Sequence, residues 1–296
     1  MDGFLEMMGA PVVMALVLVA MHSHLGYHVV KRGVIFVDIA LAQIAAFGVA
    51  LALLLGGSIG TNSTWLVALV STLVGAGLIS LTRSRAAEKI PQEAYIGIIY
   101  AVSSAAMILV LTQVPHGGEE IRHLLVGALL WVTWPVVLKT AVLYGVLGLL
   151  LYFKRGPLLM VSTDPRGAQA AGLSLGRWDF FFYLILGFVV TSSVQIAGVL
   201  LVFCLLVVPT VMGMRILADP TRQFVYTLVV GMVAVVVGAG ASYGLDLPTG
   251  AAIVCTFGLF LALQVVVEAV VRRRPAIPAT TDKNQNQPEP APKAQG

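Results

Sequence analysis

The stretch GVIFVDIALAQIAAFGVALALLL, residues 33–55, is long enough and apolar enough to cross a lipid bilayer as a single helix. Its one charged side chain is Asp38. A charge inside hydrocarbon costs at least about 2.5–3.5 kcal/mol on insertion scales, so a chain keeps one mainly where it faces water, a partner or an ion. His22, His24 and His28 precede it in the neighbouring apolar run. This grouping predicts a chain that moves an ion.

The composition is that of an integral membrane protein. Of 296 residues, 58% are hydrophobic and only 11% are charged, against about 25% charged in soluble domains. The first apolar run, residues 10–25, lacks a small-residue cleavage site, so we expect it to serve as an uncleaved insertion signal. Cys204 and Cys255 both lie in apolar runs, which indicates packing rather than a disulfide or a thiolate metal site.

Apolar segments of spanning length recur along the chain, and they predict an all-α integral membrane protein with about nine transmembrane helices. Between the sixth and seventh segments there is room only for a short turn. The segments are residues 10–30, 33–56, 64–82, 94–114, 136–153, 178–194, 196–214, 224–243 and 249–271.

The basic residues predict the orientation of these spans. An outside N-terminus puts fourteen Lys and Arg residues in the inner loops and only two, Arg122 and Lys139, on the outer side. Since inner loops carry the excess of Lys and Arg, we expect the N-terminus outside and the C-terminus in the cytoplasm. Residues 1–274 then form one transmembrane domain, and residues 275–296, rich in Pro, Ala, Gln and Asn, form a disordered cytoplasmic tail.

The longest inner loop, residues 154–177, contains a short predicted helix. Asp164 has the position of an N-cap, Pro165 that of the first helical residue, and Gly172 is placed to end the helix after Ala168. Such a segment is either an ordinary connection or a coupling helix, a knob that fits a groove on a cytoplasmic ATPase.

In the sequence as a whole, this loop and several other stretches resemble the permease subunits of ABC importers for zinc, manganese and iron. The loop pattern is Asp164-x3-Ala168-x3-Gly172. The resemblance extends to about residue 265. The other stretches, in the same order as in the family, are Val29–Arg32, Leu41–Gln43, Gly48–Ala50, Val194–Leu201, Leu205–Pro209 and Asp246–Gly250.

This resemblance implies a permease domain over residues 1–274 that works as a homodimer in the cell (inner) membrane. Two cytoplasmic ABC ATPase subunits would lie below it, and an extracytoplasmic metal-binding protein would deliver the ion. The chain has no Gly-x4-Gly-Lys-Ser/Thr phosphate loop, so ATP hydrolysis would belong to the partner and no catalytic residue is expected here. The implied cargo is a divalent ion, zinc or manganese first, with no stably bound cofactor.

The second span departs from the pattern of the resembled family. Members carry Gly-Asp-x-Leu-x-His there, and the Asp and His resemble ion ligands. Alignment on Leu41-Ala42 puts Gln43 in place of the His and Ile39 in place of the Asp. Asp38 is displaced by one residue, which is about 100° around a helix. The family's ligand pair therefore does not transfer, and the identity of the ion stays open.

The residues themselves suggest another ion site. If the chain turns at Lys31-Arg32, Asp38 lies at the depth of His24, and His28 shares a helix face with His24, since the two are four residues apart. Carboxylate and imidazole suit zinc, manganese or ferrous iron, and two protomers could complete the ligand set. Gln43 would be a weaker polar neighbour. Alternatively, Asp38 caps a backbone, pairs with Arg32 or bonds to a histidine structurally.

A second polar group lies in the outer loop, at His116, Glu119, Glu120 and His123. Glu119 and His123 have helical i, i+4 spacing and could hold an ion at the outer mouth or dock the delivery protein.

Three other functions compete with a metal-ion importer. A secondary carrier would need more buried charges and often inverted repeats, and an intramembrane metalloenzyme would need a motif such as His-Glu-x-x-His. An ABC permease for a chelated metal or small cofactor stays open because Gln43 replaces the family's histidine.

Overall fold

The computed structural model describes residues 2–82, 90–115 and 127–272, and all its regular elements there are helical. A single 3₁₀ turn, Leu129–Trp131, precedes the fifth α-helix. The α-helices are α1 Asp2–Arg32, α2 Val37–Leu54, α3 Asn62–Leu81, α4 Gln92–Leu111, α5 Trp134–Phe153, α6 Arg155–Thr163, α7 Pro165–Ala170, α8 Leu175–Ile216, α9 Pro220–Leu245 and α10 Thr249–Arg272.

Eight of the described helices, all except α6 and α7, are long and apolar enough to cross a membrane. The prediction of an all-α membrane fold is therefore confirmed. The predicted spans 178–194 and 196–214 fall within the single helix α8, which has 42 residues. A straight helix of that length would measure about 63 Å, twice the thickness of the hydrocarbon core.

Helix α8 is interrupted at Gly198, where φ is 76° and ψ is 160°. This left-handed conformation favours glycine, because a Cβ atom would clash there. Both ends of α8 lie near the C-terminal end of α1. Asp179 near its start pairs with Arg32, and Phe224, shortly after its end, packs against His24. The two halves of α8 therefore run in opposite directions, and the described helices make nine crossings.

An odd number of crossings puts the two ends of the spanning region on opposite sides of the membrane. The segment just before the 3₁₀ turn closes over the bend in α8, since the backbone N–H of Ala128 donates to the carbonyl of Ile196 at 3.0 Å. The assignment of the N-terminus to the outside stays a prediction from the basic residues. The predicted tail, residues 275–296, lies outside the described residues.

The core of the molecule is formed by α1, α2 and α8, with the other spans around them. Among the most apolar 18 residues of each helix, 72% are buried in α2, whereas only 17% are buried in α4. Large apolar side chains on the peripheral helices point outward, among them Leu109, Val142 and Leu263. Since these faces would meet lipid rather than water, their exposure is the expected state of a membrane protein.

Close approach of α2 and α3 depends on Gly48. A Cβ atom at this position would stand 2.7 Å from the Cα atom of Ala68, nearer than real Cβ atoms come to backbone. Small residues serve this purpose between membrane helices, where packing and hydrogen bonds replace the hydrophobic effect.

We expect Gly48→Ala to lower the thermal midpoint of the purified protein by several degrees, because overpacking costs about 1–3 kcal/mol. The matched control is Gly97→Ala, a helical glycine with no neighbouring atom within 4 Å of the added Cβ. That variant should keep or raise the midpoint, since alanine favours the helix. Midpoints measured in one detergent decide the matter, and equal midpoints for the two variants would contradict the packing argument.

Candidate functional site

The loop predicted to contain a coupling helix does contain a short helix, α7. The Asp164 side chain caps it by accepting the backbone N–H of Gly167 at 2.9 Å, and Pro165 is its first residue. Gly172 adopts a φ of +80° just beyond the end. Ala168 is buried against the rest of the protein. The predicted local structure is therefore confirmed, and its role in coupling stays a prediction.

Asp38 lies in the first turn of α2 and has no exposed surface. Neither of its carboxylate oxygens has a hydrogen-bond partner within the described part of the chain. This excludes backbone capping and a bond to a histidine as explanations for the residue. Arg32, the cation that could have neutralised it, donates instead to Asp179.

Gln43 lies on the same helix as Asp38 and is also buried. Its side-chain carbonyl oxygen is without a donor among the described residues. Helix α2 thus presents unpaired oxygen atoms from two side chains inside the bundle. Oxygen ligands of this kind suit hard divalent cations.

His24 and His28 share one face of α1, as their spacing predicts, and their ring centroids are 5.5 Å apart. His24 packs edge-on against Phe224 of α9, with ring centroids 5.7 Å apart. Both histidines line a groove of about 840 Å³ between α1, α5, α6 and α9. Tyr27, Tyr144, Tyr152 and Arg155 contribute to the same walls.

His22 points away from this groove into the core. One ring nitrogen, Nδ1, bonds to the carbonyl of Leu18 at 2.8 Å, and Nε2 lies 3.3 Å from the Ser193 hydroxyl. Both nitrogens thus have protein partners. His22 therefore has a structural role, since neither ring nitrogen is left to bind an ion.

Tyr144 is a groove residue that nothing in the sequence indicates. Its ring lines the groove, and its buried hydroxyl donates to the carbonyl of Val189 at 3.1 Å. Its position in an apolar run carries no sequence signal that could have identified it.

Asp38 and the two groove histidines do not form a closed metal site within one protomer. Over residues 2–82, 90–115 and 127–272, no three His, Cys, Asp or Glu side chains lie close enough to hold one ion. The predicted set of Asp38, His24, His28 and Gln43 stays a prediction that needs further ligands. The predicted outer group, Glu119 and His123, lies outside the described residues.

The sequence is similar to a family of transport proteins and to membrane proteins of metal transport systems. The model of the ABC 3 transport family matches residues 4–268. The chain is 24% identical over 182 residues to a probable iron transport system membrane protein of Haemophilus influenzae, covering 62% of this chain and 67% of that protein. It is also 24% identical over 248 residues to the manganese transport system membrane protein MntC of Halalkalibacterium halodurans, covering 81% and 80% of the two chains.

The fold has a counterpart among solved structures. PsaBC from Streptococcus pneumoniae, in complex with a Fab, superposes with a TM-score of 0.74 at 21% identity, covering 89% of this chain and 94% of that chain. The resemblance to metal-ion importer permeases drawn from the motifs is confirmed, as is the assignment to a multi-pass protein of the inner membrane. The chain belongs to the ABC 3 transport family.

Proposed function

We propose that this chain is the permease subunit of an ABC importer for a divalent first-row metal ion, zinc or manganese. The observation that carries the proposal is Asp38, a completely buried carboxyl group whose two oxygens have no hydrogen-bond partner among the described residues. An unpaired polar group of this kind costs free energy unless a cation or another partner reaches it during function. The names of two relatives refer to iron and to manganese, which supports manganese and adds ferrous iron as a candidate beside zinc.

The proposed path leads the ion past Asp38 and Gln43 to the groove histidines. Carboxylate and amide oxygens suit manganese, and imidazole nitrogen suits manganese, zinc and ferrous iron. Tyr144, whose ring lines the same groove as the two histidines, supplies a further oxygen atom. Because the described residues of one protomer hold no cluster of three such ligands, the ion is bound only transiently, or a second copy of the chain completes its ligands.

The proposed assembly is a homodimer with two cytoplasmic ATPase subunits and an extracytoplasmic metal-binding protein. The coupling role of α7 is supported by its exposure. Arg166 and Gln169 face outward, while Ala168 anchors the helix to the permease. The absence of a phosphate loop from the sequence supports ATP hydrolysis in the partner.

A second candidate cargo is a metal chelate. One observation favours it: the groove of about 840 Å³ is much larger than a bare ion needs, and its walls include three tyrosines and Phe224. Aromatic walls with a few polar groups are typical of sites for organic molecules.

Replacement of the buried carboxylate tests the proposed path. In cells expressing the chain with its ATPase and binding protein, Asp38→Asn should lower manganese accumulation about tenfold or more, because a charged ligand is lost. The matched control is Asp246→Asn, an exposed aspartate in the left-handed conformation, which asparagine also adopts.

Elemental analysis of the cells at equal protein level is the measurement. Accumulation that survives in Asp38→Asn would contradict the proposed path while leaving the importer intact. If even the native chain yields no gain of manganese, zinc or iron although the complex assembles, the divalent-ion importer is wrong and a chelate becomes the cargo to test.

The coupling helix allows a separate test. Asp164→Ala removes the N-cap of α7, a loss of about 1 kcal/mol, and should reduce co-purification of the ATPase several-fold. Asp219→Ala removes an equivalent cap from α9, where the Asp219 side chain accepts the N–H of Arg222 at 2.8 Å, and should leave co-purification unchanged. Equal losses in both variants would mean that α7 has no special part in ATPase docking.

A further inference from the structure

One oxygen atom, the hydroxyl of Ser162, connects the groove to the loop that carries α7. Ser162 is 3% exposed and lies near the end of α6. Its Oγ atom contacts three groups: the carbonyl of Leu158 at 2.8 Å, Nε of Arg32 at 3.0 Å and Nδ1 of His28 at 3.0 Å. The helices α1 and α6 therefore meet at a hydrogen-bonded junction inside the protein.

The chemistry of the three partners determines where the protons lie. A hydroxyl has one proton to donate and two lone pairs that accept. A carbonyl only accepts, so the Ser162 proton goes to Leu158, and an arginine only donates, so Arg32 uses one lone pair. The remaining lone pair accepts from His28, whose Nδ1 therefore carries its proton. In the neutral ring, Nε2 then keeps a free lone pair for a ligand.

The cytoplasmic side of this junction is held in place by Arg32. Its guanidinium forms an ion pair with Asp179 of α8 at 2.5 Å, with both side chains buried. It also stacks on the ring of Phe182, 4.3 Å from the ring centroid. Because both partners belong to α8, a shift of Ser162 relative to Arg32 changes the contact between α6 and the centre of the bundle.

In the sequence, the junction lies immediately before the coupling helix α7. Asp164, the N-cap of α7, follows Ser162 by two residues. Beside the junction lies a cavity of about 400 Å³, lined by Arg32, Ser162, Pro165 and Asp179 among others. This space allows the start of α7 to move without displacing the packed core.

We propose that Ser162 is a positioning residue that transmits occupancy of the groove by a divalent cation to the coupling helix α7. The cation binds at Nε2 of His28, which draws electron density from the ring and strengthens the hydrogen bond that Nδ1 donates to Ser162. The stronger bond holds α6 against α1 and thereby changes the position of α7. This inference rests on the proposed function, since it takes a metal ion as the cargo and an ATPase as the partner.

The test is the ratio of ATP hydrolysis with and without the Mn²⁺-loaded binding protein, measured on the permease and its ATPase reconstituted in lipid nanodiscs. Ser162→Ala should lower this ratio about tenfold, the factor that loss of one buried acceptor commonly produces. Ser162→Thr keeps the hydroxyl and should keep most of the response.

The matched control is Thr163→Ala. The Thr163 hydroxyl donates to the carbonyl of Leu159 at 2.9 Å, as Ser162 does one residue earlier, but it is exposed on the outer face of α6. This variant should leave both the hydrolysis rate and the ratio unchanged. A merely structural role of Ser162 would reduce all rates together and leave the ratio as in the native chain, and that result would overturn the proposal.

A second variant, His28→Asn, separates the two ring nitrogens. Asparagine keeps a donor near the place of Nδ1 but has no atom in place of Nε2, so we expect normal assembly and a lost metal response. A retained response would overturn the proposal even if Ser162→Ala failed to assemble. If the native complex itself neither accumulates nor responds to manganese, zinc or iron, the proposed function fails rather than the junction.

Discussion

The hydrocarbon of a bilayer offers no hydrogen-bond partners, and this constraint shapes the whole chain. Every backbone N–H and C=O within a span must be paired internally, so each described crossing is a helix. The same constraint explains Gly198. Helix α8 is too long for one crossing, and a glycine in a left-handed conformation lets the chain reverse its direction. The neighbouring loop satisfies one of the freed carbonyls, that of Ile196.

Many buried side chains are paired in the same way, and Asp38 departs from this pattern with both of its carboxylate oxygens. The buried hydroxyls of Thr72, Thr210 and Thr256 each donate to a carbonyl four residues earlier in their own helix, so they need no outside partner. A carboxylate cannot do this, because it accepts hydrogen bonds and helix carbonyls accept as well. Asp38 therefore stays unpaired until something with a proton or positive charge approaches. An unpaired carboxylate inside a membrane span can therefore attract a cation, which is what a permease for metal ions needs.

The end of the bundle that carries Arg32 and Arg215 shows the opposite case, where charges are paired. Arg32 and Asp179 join α1 to α8, and Arg215 and Glu268 join α8 to α10 at 2.9 Å. Since breaking a buried pair leaves an uncompensated charge, the Arg32 pair fixes the helices on which the junction at Ser162 depends. The partly exposed Arg215 pair contributes less, because solvent screens it.

The sequence by itself determined the fold class, the spans, the cap of α7 at Asp164 and the family, because hydropathy, capping and short motifs are local properties of the chain. It also singled out Asp38, as the one charge in an apolar stretch, and the shared face of His24 and His28, which follows from their helical spacing. It did not identify Tyr144 or Ser162, and it left the partner of Arg32 open. Those depend on contacts between residues more than a hundred positions apart or on different helices, such as His28 with Ser162. Only the packing of the helices decides which side chains meet, because the apolar faces are similar in composition and the sequence does not show which two faces pack together.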